Sequence, residues 1–300
     1  MLLLLCYGLL AVFAVGFVGR SVRIARLPVH LRWELAPVPK ERTRGRYGGS
    51  YLEEYEWWKQ PRDESLVGEL AYMGKEIVFL KALWEHNRRV WWVSYPFHVG
   101  LYVLVAATFV LGLGGLLGVV GAAGAAGVLL GSWLPALVGA GCVLGVVGGL
   151  GLLVSRLVRW DLRAMTTGVA YFNLLLLLAV FVTGGLAVLA VPGFGGEVAG
   201  FAGKLVRGDT SVALPGMLAA HVLVTLAFLA YLPFSQMMHF VAKYFTYHQV
   251  RWDDEPMVVG SRLEEEVLEL LKQPVTWSAP HLRGDGVKNW VDLATEEVEK

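Results

Sequence analysis

From Pro215 to Phe240 the chain carries no Asp, Glu, Lys or Arg. A run of this length, where about 20 apolar residues suffice to cross a bilayer as a helix, predicts a membrane span. It also holds a histidine near each end, His221 and His239. Read as one continuous helix, a separation of about 18 residues is five whole turns, so both imidazoles fall on one face, roughly 27 Å apart along the axis. That is close to the hydrocarbon thickness of a bilayer. Imidazoles are costly in a membrane unless they have partners, so two on one stripe, one per leaflet, predict two cofactor levels.

Four further runs read the same way: Leu2 to Val18, Ser94 to Val119, Leu129 to Val154 and Val169 to Val191. Apolar residues make up 56% of the chain, which places it among multi-span membrane proteins. The expectation is an all-α membrane protein with five transmembrane helices. Ser94, followed by Pro96 in a first turn, reads as the start of the second span. Trp91 and Trp92 before it suit the interfacial aromatic belt. Gly121 to Gly127 reads as the turn between the second and third spans, and Gly193 to Ala213 as a glycine-rich loop. Glycines 145, 148, 149 and 151 read as a close-packing face rather than a phosphate loop, because they lie inside a span.

Charge predicts the orientation. The net charge of +1 conceals an asymmetry: 24 of the 26 Lys and Arg fall in 19–97, 155–168 and 240–300, leaving only Lys204 and Arg207 on the other side. The positive-inside rule then puts the N-terminus outside and the C-terminus in the cytoplasm. Four segments follow: a first helix over 1–19, a cytoplasmic loop over 20–93, a four-helix membrane domain over 94–248 and a cytoplasmic tail over 249–300. The first helix lacks a basic leader and a small-residue cleavage site, so it reads as an uncleaved anchor. In the loop, Leu27 to Pro39 reads as extended chain, since its prolines fix the backbone. Leu66, Leu70, Met73, Ile77, Leu80 and Trp84 recur at helical spacing, which predicts an amphipathic helix on the membrane surface or on a partner. The tail repeats the pattern with Leu263, Val267, Leu270 and Leu271.

No charged residue falls inside any of the five spans, which argues against proton- or ion-coupled transport. Two cysteines, Cys6 and Cys142, are too few for an iron–sulfur site and read as packing residues. There is no nucleotide loop or catalytic triad in a believable context, and nucleic acid is not an expected partner. The histidines are left as the chemistry. Haem b is held by imidazoles from facing helices, and the absence of C-x-x-C-H excludes covalent attachment. His98 lies at the cytoplasmic start of the second span and His239 at the cytoplasmic end of the fifth. Their depths match, so they pair as ligands of one inner haem. His221 lies at the outer level, where its expected partner position, about ten residues beyond His98, is Thr108. His221 therefore reads either as a ligand or quinone-site residue, or as a hydrogen-bonded interhelical residue.

The motif Ser94-Tyr95-Pro96-Phe97-His98-Val99-Gly100, then Arg163 to Gly168, then His221, Pro233-Phe234-Ser235 and His239, resembles the gamma subunit of respiratory nitrate reductase. The resemblance implies a five-helix dihaem cytochrome b that oxidises quinol, with His98 and His239 on the inner haem and His221 on the outer. Thr108 stands where that family has the second outer histidine, and Gly131-Ser132-Trp133 lacks its lysine. Arg32 to Pro39 and Gly284 to Asp292 resemble instead the membrane cytochromes of sulfate-reducer and heterodisulfide-reductase-type complexes. These imply a cytoplasmic iron–sulfur partner with cysteine-rich domains, in the inner membrane of a prokaryote. The function expected is electron transfer between menaquinone and that partner through haem b, with lipid around the spans and the loop and tail as docking platform. The other reading is a haem-free anchor that recruits a soluble oxidoreductase to the membrane.

Overall fold

A computed structural model describes residues 2–26, 66–116, 125–209, 211, 213–250, 259–279 and 282–296. Among the described residues the long apolar segments are helical. Helices α1 (Leu2–Ala25), α4 (Arg88–Leu116), α5 (Ala125–Val158), α7 (Gly168–Ala190) and α9 (Gly216–Tyr231) correspond to the five expected spans, all long and apolar enough to cross a bilayer. The shorter helices are α2 (Leu66–Phe79), α3 (Lys81–His86), α6 (Trp160–Ala164), α8 (Phe194–Arg207), α10 (His239–Val250), α11 (Arg262–Leu271) and α12 (Trp290–Thr295). Internal contacts divide the chain into one unit of 1–20 and 73–238, and a second of 21–72 and 239–300.

Within the first unit the spans alternate in direction. Along α4 the partners on α5 fall in descending order: Gly100 meets Gly141 and Gly145, while further back Val93 and Phe97 meet Gly148 and Gly151. The antiparallel pair is close because α5 presents glycine on two faces. A methyl group on Gly148 would sit 2.4 Å from the Phe97 nitrogen and 2.7 Å from the Val93 carbonyl oxygen. One on Gly145 would enter the Phe181 ring at 2.3 Å, and one on Gly149 would meet Leu178 at 2.7 Å, both on α7. The close-packing face expected from the sequence is present, and it serves two neighbours. Helix α1 runs parallel to α9: the Tyr7 hydroxyl donates to the Leu205 carbonyl, and Gly16 abuts Pro233 and Phe234.

Several boundaries differ from the sequence expectation. Helix α1 continues past Val18 to Ala25, carrying Arg20 and Arg23 on its last turns, where cations suit the helix C-terminus and long side chains reach the interface. Helix α4 begins at Arg88, not Ser94. Its start follows Asn87, whose side-chain oxygen accepts from Val90 N at 3.3 Å, and Pro96 lies inside the helix. The loop 193–213 contains a helix, α8, bracketed by Gly193 and Gly208 at φ +67° and +71°. Its Phe194 and Ala199 pack with Ala107, Leu111, Leu134, Val138 and Leu218, closing that end of the bundle. Residues 117–124, which hold part of the expected turn, lie outside the described residues, and so does the segment 27–39 expected to be extended.

The amphipathic stretch 66–86 is two helices broken at Leu80, which adopts φ 50°, ψ 49°. Its expected apolar stripe stays exposed at Leu70 and Ile77, while Glu76 is buried. The Glu76 carboxylate accepts from Ala82 N in the first turn of α3. The last carbonyls of α2 lack intrahelical donors, and α4 supplies them: Tyr102 OH donates to Ile77 O at 2.6 Å and Trp91 Nε1 to Phe79 O at 2.8 Å. Trp91 also stacks on Tyr95 with centroids 4.5 Å apart and meets Trp84 edge-on at 4.7 Å.

In the second unit the tail folds locally. Ser261 caps α11 by accepting from Glu264 N. A short hairpin, β1 (Ser278–Ala279) and β2 (Leu282–Arg283), precedes a turn built on Asp285 and a capping box between Asn289 and Asp292 that starts α12. Gly284 is obligatory there, because a Cβ would come within 2.1 Å of the Trp277 carbonyl oxygen. The Asp285 carboxylate accepts from the amides of Lys288 and Val287, at 2.8 and 2.9 Å, and these bonds hold its pKa below the ordinary carboxylate value. A depressed carboxylate contributes stability above its unfolded pKa, about 3.9, and loses it as pH falls through the lower folded value. The protection factors of the amides over 284–292, taken relative to intrinsic exchange at each pH, are therefore expected to fall below about pH 4. Asp285→Ala should exchange fast already at neutral pH, with that acid step gone.

Candidate functional site

Pro233 breaks the fifth span. After Tyr231 the chain makes a 3₁₀ turn over Leu232–Phe234, opens at Ser235 (φ −110°, ψ 170°) and makes a second over Gln236–Met238 before α10 begins at His239. Proline supplies no N–H, so the α-helical ladder cannot run through it. Ser235 restarts the chain by accepting from Met237 N at 3.1 Å while its hydroxyl donates to Leu232 O at 2.9 Å. His221 and His239 are therefore not on one continuous helix. His239 is an exposed first residue of α10 and is described with the second unit.

His98 sits one turn beyond Ser94 on α4. Its Nδ1 lies 2.7 Å from the Ser94 carbonyl oxygen and 3.3 Å from Ser94 Oγ. A carbonyl only accepts, so Nδ1 carries a proton and donates it there. Pro96 and His98 thus each alter the ladder of α4: the first removes an N–H, and the second adds a side-chain donor to an i−4 carbonyl. The imidazole is half-buried, edge-on to Phe97 with centroids 5.5 Å apart and 6.3 Å from the Tyr102 ring.

His221 lies on α9 against α7 and α5. Its Nδ1 is 3.1 Å from Thr183 Oγ1, which is itself 2.7 Å from the Ala179 carbonyl oxygen. The Thr183 hydroxyl thus links the His221 imidazole to the backbone of α7. Gly184 makes the slot for the ring. A Cβ there would stand 3.0 Å from His221 Cε1 and 3.0 Å from the buried Cys142 Sγ. Thr108, the position opposite His221 by depth, is exposed, and its hydroxyl donates to Leu104 O of its own helix at 2.8 Å. The residues α4 buries at this level are Ala107 and Leu111, in one apolar cluster with Cys142 and Leu218.

The glycine slot and the threonine partner were not legible in the sequence, because nothing in the spacing of 142, 183–184 and 221 joins three helices. Gly184→Ala is expected to destabilise the fold by about 1–3 kcal/mol through overpacking. Thr183→Val should cost less, about 0.6 kcal/mol, the average of interhelical hydrogen bonds in membranes. Unfolding of the two variants in one detergent gives the order.

The Asn173 side chain adds a second buried polar link between α7 and α9, accepting from Tyr231 OH at 2.8 Å. Among the described residues no group of three or more His, Cys, Asp or Glu is placed to hold a metal ion. His86 bonds the Ala82 carbonyl in its own helix, and both cysteines are buried and unbridged, as expected for packing residues. His30 and His281 lie outside the described residues. Comparison with protein-family models found no match, and neither did comparison with curated proteins.

Proposed function

We propose that the chain is a membrane cytochrome b subunit that carries electrons between menaquinone and a cytoplasmic iron–sulfur partner, in the inner membrane of a prokaryote with the N-terminus outside. The observation that carries this reading is the way the bundle holds its imidazoles. A histidine that ligates haem iron through one ring nitrogen is oriented by a protein partner on the other. His98 Nδ1 donates to the Ser94 carbonyl, and His221 Nδ1 pairs with Thr183 Oγ1. A donor set of imidazoles suits haem b, which would supply one-electron chemistry when bound.

In this reading His98 and His239 hold the inner haem, as their matched depth in the sequence suggests. The Ser94 carbonyl fixes the His98 ring through its Nδ1–H, and Phe97 packs edge-on against it. His221 serves an outer haem or a quinone. The apolar packing of Ala107, Leu111, Cys142 and Leu218 at that level favours one haem over two. A pyridine haemochrome assay on the purified full chain tests the reading. About one haem b per polypeptide is the expected result, and none leaves the haem-free anchor.

A further inference from the structure

The charged loop between the third and fourth spans has an arrangement that its sequence did not announce. On α5 the residues Leu150, Val154, Leu157 and Val158 are exposed at helical spacing, which marks a lipid-facing strip. The strip does not end with the helix. Trp160 on α6 is 77% exposed and Met165 just after it is 87% exposed, and the lipid-facing Val169 of α7 follows at once. Two large apolar side chains in this state, inside a turn between two spans, are continuous with the lipid-facing surface.

The charges around them are unequal. Asp161 is matched by Arg159, with Nη2 2.7 Å from Oδ2, and the Arg159 guanidinium bonded to it holds its carboxyl below the usual carboxylate range. Asp161 is the only acidic residue between Ser155 and Gly168, so Arg156 and Arg163 are left in excess. Neither makes an ion pair among the described residues. The turn is held firmly: Tyr171 OH donates to the Arg156 carbonyl at 3.1 Å and Thr166 Oγ1 to Leu162 O at 2.6 Å.

We infer that this turn is a binding site for anionic phospholipid headgroups, with Arg156 and Arg163 on the phosphate and Trp160 and Met165 at the acyl boundary. Guanidinium forks fit phosphate oxygens, indole prefers the interfacial depth, and the apolar strips on either side place the turn at that depth. A docked soluble protein would need the opposite, a turn standing clear of the lipid. The inference rests on the membrane spans alone and is independent of haem.

The test uses the full chain in phosphatidylcholine nanodiscs with increasing fractions of brominated phosphatidylglycerol or brominated phosphatidylcholine. The Trp160 signal is taken as the difference between the wild type and Trp160→Phe. Phosphatidylglycerol is expected to quench it at mole fractions about 25-fold lower, two basic contacts being worth roughly fivefold each. Arg156→Gln with Arg163→Gln should abolish the preference and leave quenching by phosphatidylcholine unchanged. Arg156→Lys with Arg163→Lys should keep most of it, which guards against a glutamine variant that fails to fold. Equal quenching by both lipids overturns the inference, as does a preference that survives the glutamine substitutions. Quenching by neither lipid overturns it too and points to a protein partner on this turn.

Discussion

Gly148→Ala is expected to be the most damaging single-methyl substitution in the membrane bundle. The added carbon would overlap the backbone of α4, at 2.4 Å from the Phe97 nitrogen, 2.7 Å from the Val93 carbonyl and 2.8 Å from the Phe97 Cα. A side chain in the way can rotate, but a backbone can only be relieved by moving the whole helix. Displacing α4 from α5 also opens the contact at Gly100, whose own Cβ position lies 2.6 Å from the Gly141 carbonyl oxygen. The loss expected is at the upper end of the overpacking range, about 3 kcal/mol or more. Gly139→Ala is the control, since its nearest neighbour is 3.8 Å away and a methyl fits. Thermal unfolding of both in one detergent decides it. A Gly148→Ala protein as stable as Gly139→Ala would mean that α4 and α5 do not pack as described.

His98→Ala is expected to remove the inner haem and leave the bundle folded. The ring is only half-buried, and its Nδ1–H leaves behind a carbonyl that retains a helical partner. A reduced-minus-oxidised spectrum should lose its b-type band, while extraction and thermal unfolding change little. His239→Ala should lose the same band. His221→Ala should keep it, with stability lowered because Thr183 and the Gly184 slot lose their occupant. If His98→Ala retains the full spectrum, His98 is not an axial ligand. If the unsubstituted protein has no such spectrum, the chain is an anchor.

Ser94→Ala separates positioning from ligation. It removes the hydroxyl 3.3 Å from Nδ1 and leaves the carbonyl at 2.7 Å. The haem should remain, its midpoint potential displaced because the imidazole is held by one oxygen fewer.

Five spans, the helical class and the glycine face were determined by the sequence alone. Each rests on a local requirement: uncharged runs must find lipid, their backbone must close its own hydrogen bonds, and glycines inside them admit a neighbouring helix. The histidines were also legible as the polar exceptions in apolar runs. Only the tertiary structure decided where helices stop and what each imidazole meets. Asn87 rather than Ser94 starts α4, because the helix continues wherever its carbonyls find donors, and Pro96 removes only one. The fifth span is broken at Pro233–Ser235, since a missing N–H and an extended serine interrupt the helical ladder. The Thr183 and Gly184 seat for His221 joins α7 to α9, and Cys142 brings in α5. Such a seat depends on which helices become neighbours, a choice made by packing between residues far apart in the chain.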